Sequence, residues 1–179
     1  MVRGHANFGP MARVEVTRTY LELKSPDQLR GLEAEPALRV AAVGRCPAAF
    51  YRFLYTEVGR VYHWVDRAAW TDDEIRAYLD SPRLRLFVLY EDGAPAGYYE
   101  LLDHDDGSTE IAYFGLMPDY LGRGLGKALL VHAARNAWAG RPRRVWLHTC
   151  TLDAPAALPN YEARGFARFK EERYWADLP

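Results

Sequence analysis

Hydrophobic and polar positions change period several times along the chain, and each change predicts an element. Val14 to Leu23 carries β-branched and aromatic residues and reads as a strand. Pro47 predicts the opening of a helix whose apolar residues are Phe50, Phe53, Leu54 and Val58. Thr71 with Glu74 forms a capping-box signal for a second helix, running to about Leu79 and stopping before Ser81-Pro82. Three strands follow, at Leu84–Tyr90, Ala96–Leu102 and Thr109–Leu116, separated by the turns Glu91-Asp92-Gly93 and Asp105-Asp106-Gly107-Ser108. A glycine-rich loop then leads into a helix of good formers from Arg123 to Ala139, which Gly140 and Pro142 end. Val145–Thr149 reads as a buried strand, Ala154–Arg164 as a short helix and Phe166–Trp175 as a last strand.

No linker, repeat or low-complexity segment divides this series, and 179 residues suit one domain. The expected class is α/β (α+β): a single mixed sheet with flanking helices. Residues 1–13 read as a flexible arm ahead of the first strand. Composition adds mainly exclusions. A formal net charge of -1 supplies no field for a nucleic-acid backbone. Two cysteines without a CxxC pair argue against a disulfide scaffold or structural zinc and fit a reducing cytosol. No apolar run approaches a membrane span, so a cytoplasmic protein is expected. The segment around Glu100, Asp103, His104 and Asp105 could suggest a metal, but the last three sit in a turn-rich stretch and read as solvated.

The sharpest local signal is Leu116-Met117-Pro118-Asp119-Tyr120-Leu121-Gly122-Arg123-Gly124-Leu125-Gly126-Lys127. It joins a strand to a helix, and its alternate glycines strip side chains from a place where backbone N–H groups lack partners. Such a helix start suits a phosphate. Neither common nucleotide loop fits. A Walker A loop would need Gly at Leu121 and Ser or Thr at Ala128, and a dinucleotide loop would need Gly at Lys127. The plain alternative is a glycine-rich turn that binds nothing.

Thr109-Glu110-Ile111-Ala112-Tyr113-Phe114-Gly115-Leu116 with the loop after it resembles the central motif of the GNAT acyltransferase superfamily, [Q/R]-x-x-G-x-[G/A]. Asp153 to Phe166, D-A-P-A-A-L-P-N-Y-E-A-R-G-F, is similar to that family's second motif, N-x-x-A-x-x-x-Y-x-x-x-G-F. The likeness covers about residues 84–175. Two departures stand out: Leu121 replaces the usual Gln or Arg, and Asp153 replaces the usual Asn.

The resemblance implies a mostly antiparallel sheet whose two central strands splay apart, and acetyl-CoA or another short acyl-CoA as cofactor. The pyrophosphate would rest on the amides of Gly122 to Lys127, with Leu121, Arg123, Gly124 and Gly126 in that cradle. The pantetheine arm would lie along Leu116 and Met117, with Asp153 and Asn160 beside it, and Gly115 is the expected bulge. Acylating an amine needs a base, because a lysine-like amine has a pKa near ~10.4. Glu110 matches the base glutamate of histone-acetylating members. Its plain alternative is an exposed carboxylate at a strand end. Tyr161 matches the tyrosine that protonates the departing thiolate in many relatives, against a plain role as a packed aromatic. A backbone N–H near Leu116 would meet the oxyanion. His148 and Cys150 can share a strand face, but direct transfer needs no nucleophile on the enzyme.

The acceptor would be a small-molecule or peptide amine. In this superfamily the region between the first two helices walls the acceptor site, and here Phe50 to Trp70 is strongly aromatic. Phe50 and Phe53 read as core; Tyr55, His63 and Trp64, with Glu100 as a second carboxylate, read as the pocket. The family also includes homodimers. The competing readings are a non-catalytic acyl-CoA-binding module of the same fold and a structural protein without a ligand.

Overall fold

The computed structural model describes residues 12–34, 36–62 and 64–178. The first eleven residues and His63 lie outside the described set. In chain order the elements are β1 (Ala12–Leu23), β2 (Arg39–Ala42), α1 (Ala48–Gly59), α2 (Asp72–Leu79), β3 (Leu84–Glu91), β4 (Ala94–Asp103), β5 (Thr109–Leu116), α3 (Leu125–Ala139), β6 (Val145–Cys150), α4 (Ala157–Ala163) and β7 (Ala167–Leu178). Ala12 and Arg13 therefore belong to the first strand rather than to an arm.

The strands form one sheet in the order β2-β3-β4-β5-β6-β1-β7. Every pairing is antiparallel except that of β5 with β6. Two apolar layers pack against the sheet. One joins α3 to Leu21, Leu23, Tyr99, Leu101 and Leu147; the other joins α1 and α2 to Leu86, Val88 and Tyr98. Strand alternation explains the division: Tyr98 and Glu100 face the α1–α2 side, while Tyr99 and Leu101 face α3.

The second helix begins as its sequence predicts. Thr71 accepts from the Glu74 amide, and the Glu74 carboxylate accepts in return from the Thr71 amide at 2.7 Å. The first helix departs from expectation. It buries Tyr51, Leu54, Tyr55 and Val58, a helical stripe, whereas Phe53 is 44% exposed. Tyr55 is thus a core residue, and Phe53 is not. The short strand β2 also escapes the sequence pattern, because its four residues are largely exposed.

Candidate active site

The glycine loop behaves as its composition predicts. Gly122 and Gly124 have φ of 74° and 78°, a region that side chains other than glycine occupy at a cost. A Cβ on either would meet nothing within 4 Å, so the space above the loop is open. The helix starts at Leu125 with Gly124 as its N-cap, two residues later than expected. The Lys127 amide bonds to the Gly124 carbonyl at 3.2 Å, which removes it from the expected cradle. Among the described residues no hydrogen bond engages the amides from Gly122 to Gly126. Leu121, Arg123 and Lys127 are exposed; Arg123 lies over the Tyr120 ring and 3.6 Å from Glu91.

Upstream of this loop the sheet opens. Strands β5 and β6 pair only at Thr109–Val145 and Glu110–Trp146, then part. The Met117 amide bonds back to Ala96 on β4 at 2.9 Å, so strand alternation turns the Leu116 N–H and C=O toward the gap. The expected bulge is present but not at Gly115, which pairs regularly with Tyr98. The extra residue is Ala112, between Tyr113 and Ile111 opposite Glu100 and Leu101. Gly115 answers a different need: a Cβ there would come within 2.5 Å of Val58 on α1.

Residues of the second motif approach from the other side of the gap. Tyr161 is buried against Phe114 and Phe166, with ring centroids 6.4 Å apart in each pair. Burial, and then the nearby Asp153 carboxylate, push its phenol well above the ordinary range, so it stays protonated at neutral pH. Asp153 ties down the end of β6, accepting from the Thr149 hydroxyl at 2.7 Å and the Cys150 amide at 2.9 Å. The Oδ1 of Asn160 is buried without a hydrogen-bond partner.

Where the paired part of β5 and β6 ends, Glu110 is buried at 8% exposure. One carboxylate oxygen meets Nε2 of His104 at 2.9 Å; the other is 3.8 Å from Nε2 of His148. Burial raises the Glu110 pKa; the His104 hydrogen bond opposes that shift, and Arg67 and Glu100 act with smaller, opposite signs. Burial lowers the pKa of His148, and Arg18 adds to the effect, so its ring is neutral at neutral pH. His148 shares its strand face with Trp146 and Cys150, beside Tyr20 of β1. His104, read from sequence as solvated, is instead held by Glu110. Asp103 is likewise engaged, by Arg85 and Thr109.

Glu100 does not face the cleft. It is fully buried and accepts from Tyr51 at 2.8 Å, Tyr78 at 2.5 Å and Arg67 at 3.0 Å. Arg67 also contacts the Tyr51 hydroxyl, and its guanidinium sits 4.0 Å from the Tyr78 ring centroid and 4.1 Å from that of Tyr113. This lock, which sequence reasoning missed, fixes the connection between α1 and α2. A carboxylate inside the apolar run of β4 was its only signal. On the same connection, Trp64 packs edge-on to Tyr113 at 4.9 Å, and Asp66 accepts from the Tyr113 hydroxyl at 3.3 Å. A cavity of about 810 Å³ lies elsewhere, between β2, α2 and the start of β3, and holds neither Glu110 nor the glycine loop.

Residues 51–166 match the Acetyltransferase (GNAT) family, and the chain belongs to it. Enzymes of this family take their acyl group from acyl-CoA. The chain is 34% identical over 176 residues to a mycothiol acetyltransferase of Kineococcus radiotolerans, covering 94% of this chain and 54% of that protein. A mycothiol acetyltransferase of Mycolicibacterium vanbaalenii is 31% identical over 118 residues, covering 64% of this chain and 38% of its own. The chain thus spans about half the length, or less, of these curated relatives. Among solved structures, a GCN5-related N-acetyltransferase from Kribbella flavida superposes with a TM-score of 0.63 at 20% identity, over 92% of this chain and 60% of that one. A GNAT-family acetyltransferase from Colwellia psychrerythraea gives 0.63 at 13% identity, over 95% and 58%. At such identities the likeness speaks for the fold.

Proposed function

We propose that the protein moves an acetyl or other short acyl group from acyl-CoA directly to a primary amine of a small molecule, with Glu110 as base and Tyr161 as acid. The observation that carries this reading is a buried, proton-avid carboxylate placed where β5 and β6 begin to part, one strand length from an open, amide-lined glycine loop. The name of the matched relatives, mycothiol acetyltransferase, supports a small-molecule acceptor.

The residues present fit the donor. Free amides at Gly122 to Gly126 suit its diphosphate, the Leu116 main chain suits an amide-bearing arm, and the orphaned Asn160 Oδ1 awaits a donor. When bound, acyl-CoA supplies an activated thioester carbonyl. The chain does the rest. Glu110 removes a proton from the ammonium, Leu116 offers its N–H toward the carbonyl oxygen, and Tyr161 holds a proton for the leaving sulfur.

Thiol release from acetyl-CoA, measured with phenethylamine, spermidine, glucosamine and a glycyl peptide, tests the activity. Glu110→Gln should lower turnover about 100-fold near neutral pH. The gap should close as pH rises toward the amine's own pKa, where the nucleophile is already free. Equal rates at every pH would reject Glu110. Gly124→Trp adds strain of about 1–2 kcal/mol and fills the open space, so calorimetry should find acyl-CoA affinity reduced at least roughly tenfold. Tight acyl-CoA binding with no amine turned over would favour the non-catalytic reading.

A further inference from the structure

A cationic amine entering this reaction loses two protons. One ends on the thiol, and the other must reach water in every turnover. The second proton faces a barrier, because the Glu110 side chain is only 11% exposed. The charged and titratable groups around it come from four elements. His104 comes from the β4–β5 turn, His148 from β6, Glu100 from β4 and Arg67 from the α1–α2 connection. Arg67 and Glu100 are committed to each other, and His148 at 3.8 Å is too far for a hydrogen bond. Among the described residues, His104 is the group hydrogen-bonded to the carboxylate.

His104 is also fixed in place. Its amide bonds to the Ser108 carbonyl at 2.9 Å, its carbonyl accepts from Gly107 at 3.0 Å, and Gly107 makes the tight turn with φ of 76°. The ring lies 5.4 Å from that of Trp146, whose indole N–H is held by Ser108 at 3.1 Å. About a third of the His104 side chain is exposed, so the ring bridges the shielded carboxylate and solvent.

We propose that His104 is the proton exit of the site, a positioning and relay residue that takes from Glu110 the proton removed from the acceptor ammonium and delivers it to water. The transfer balances simply. Glu110 gives its proton to Nε2, and the imidazolium loses the proton on Nδ1 to water. Exchange of the remaining Nε2 proton for one at Nδ1 through solvent restores the starting tautomer, with Glu110 again a carboxylate for the next ammonium. The inference rests on the base role proposed for Glu110.

The test compares wild type with His104→Gln, His104→Ala, His148→Gln and Glu110→Gln. It uses acetyl-CoA and the best amine of the panel, in a dilute buffer without imidazole. His104→Gln can keep the hydrogen bond but cannot ionise, so kcat should fall about tenfold or more with KM little changed. Added imidazole should restore His104→Ala and leave wild type unaffected. His148→Gln should keep the wild-type response to buffer. Two readouts need no turnover. All histidine variants should keep acyl-CoA affinity, His104→Gln should keep the melting temperature, and nitrogen-15 spectra of the free protein should show the His104 ring signal moved by Glu110→Gln while that of His132 stays put. An unchanged kcat in His104→Gln, or a folded His104→Ala that imidazole does not restore, would overturn the relay. Those results beside a crippled Glu110→Gln remove the relay alone, whereas an active Glu110→Gln removes the base reading beneath it.

Discussion

Two carboxylates occupy neighbouring strands of one sheet, ten residues apart, and they serve opposite ends. Glu100 is sealed, with two phenols and a guanidinium filling its lone pairs, and its cation is itself clamped between aromatic rings. Glu110 is nearly as buried but keeps one close histidine partner and a route to solvent. Burial alone therefore does not mark a chemical role. A carboxylate whose partners are permanent donors is structural, and one whose nearest partner can exchange a proton is poised to react.

The largest expected effect would break the sealed member. Glu100→Ala leaves Arg67 buried without its counter-charge and should cost about 3–5 kcal/mol in urea unfolding, well beyond an exposed ion pair. A smaller change sharpens the role of the clamp. Arg67→Lys keeps the charge but loses the planar stack, and about 2 kcal/mol of destabilisation is expected by the same measurement. The smallest effect belongs to the other carboxylate. Because the fold raises the pKa of Glu110, the stability it contributes is present at acid pH and is lost as pH rises through the folded value. Glu110→Gln should therefore be no less stable than wild type at neutral pH, while its relative stability declines as pH falls through the raised folded value of Glu110 and levels off once the ordinary glutamate range is passed. A large loss of stability at neutral pH would place Glu110 with Glu100 as a structural group.

Much of this architecture was legible beforehand, because it rests on local rules. The Thr71–Glu74 cap, the β5 limits and the glycine loop are encoded within a few residues each. The errors share a cause in long-range packing. Tyr55 looked like a pocket residue because tyrosine is amphipathic, but its hydroxyl is used by the Arg67 amide. Glu100 and Arg67 meet across 33 residues of chain, a pairing that no window of sequence displays. His104 looked solvated because turns usually are, until the strand register placed Glu110 beside it. The bulge was assigned to Gly115 from glycine's reputation, whereas the ladder slips at Ala112 and Gly115 is small because Val58 presses on it.

The position of β1 has a consequence for how the chain acquires its shape. This strand, made before the other strands of the sheet, lies between β6 and β7, made after them, and bonds to β7 from Ala12 to Glu22 and to β6 from Arg18 to Leu23. Until residues 145–178 leave the ribosome, a twelve-residue ribbon that alternates valine, threonine and leucine with charged residues must wait with both edges unsatisfied. The nascent polypeptide is thus open to self-association at β1 during that interval.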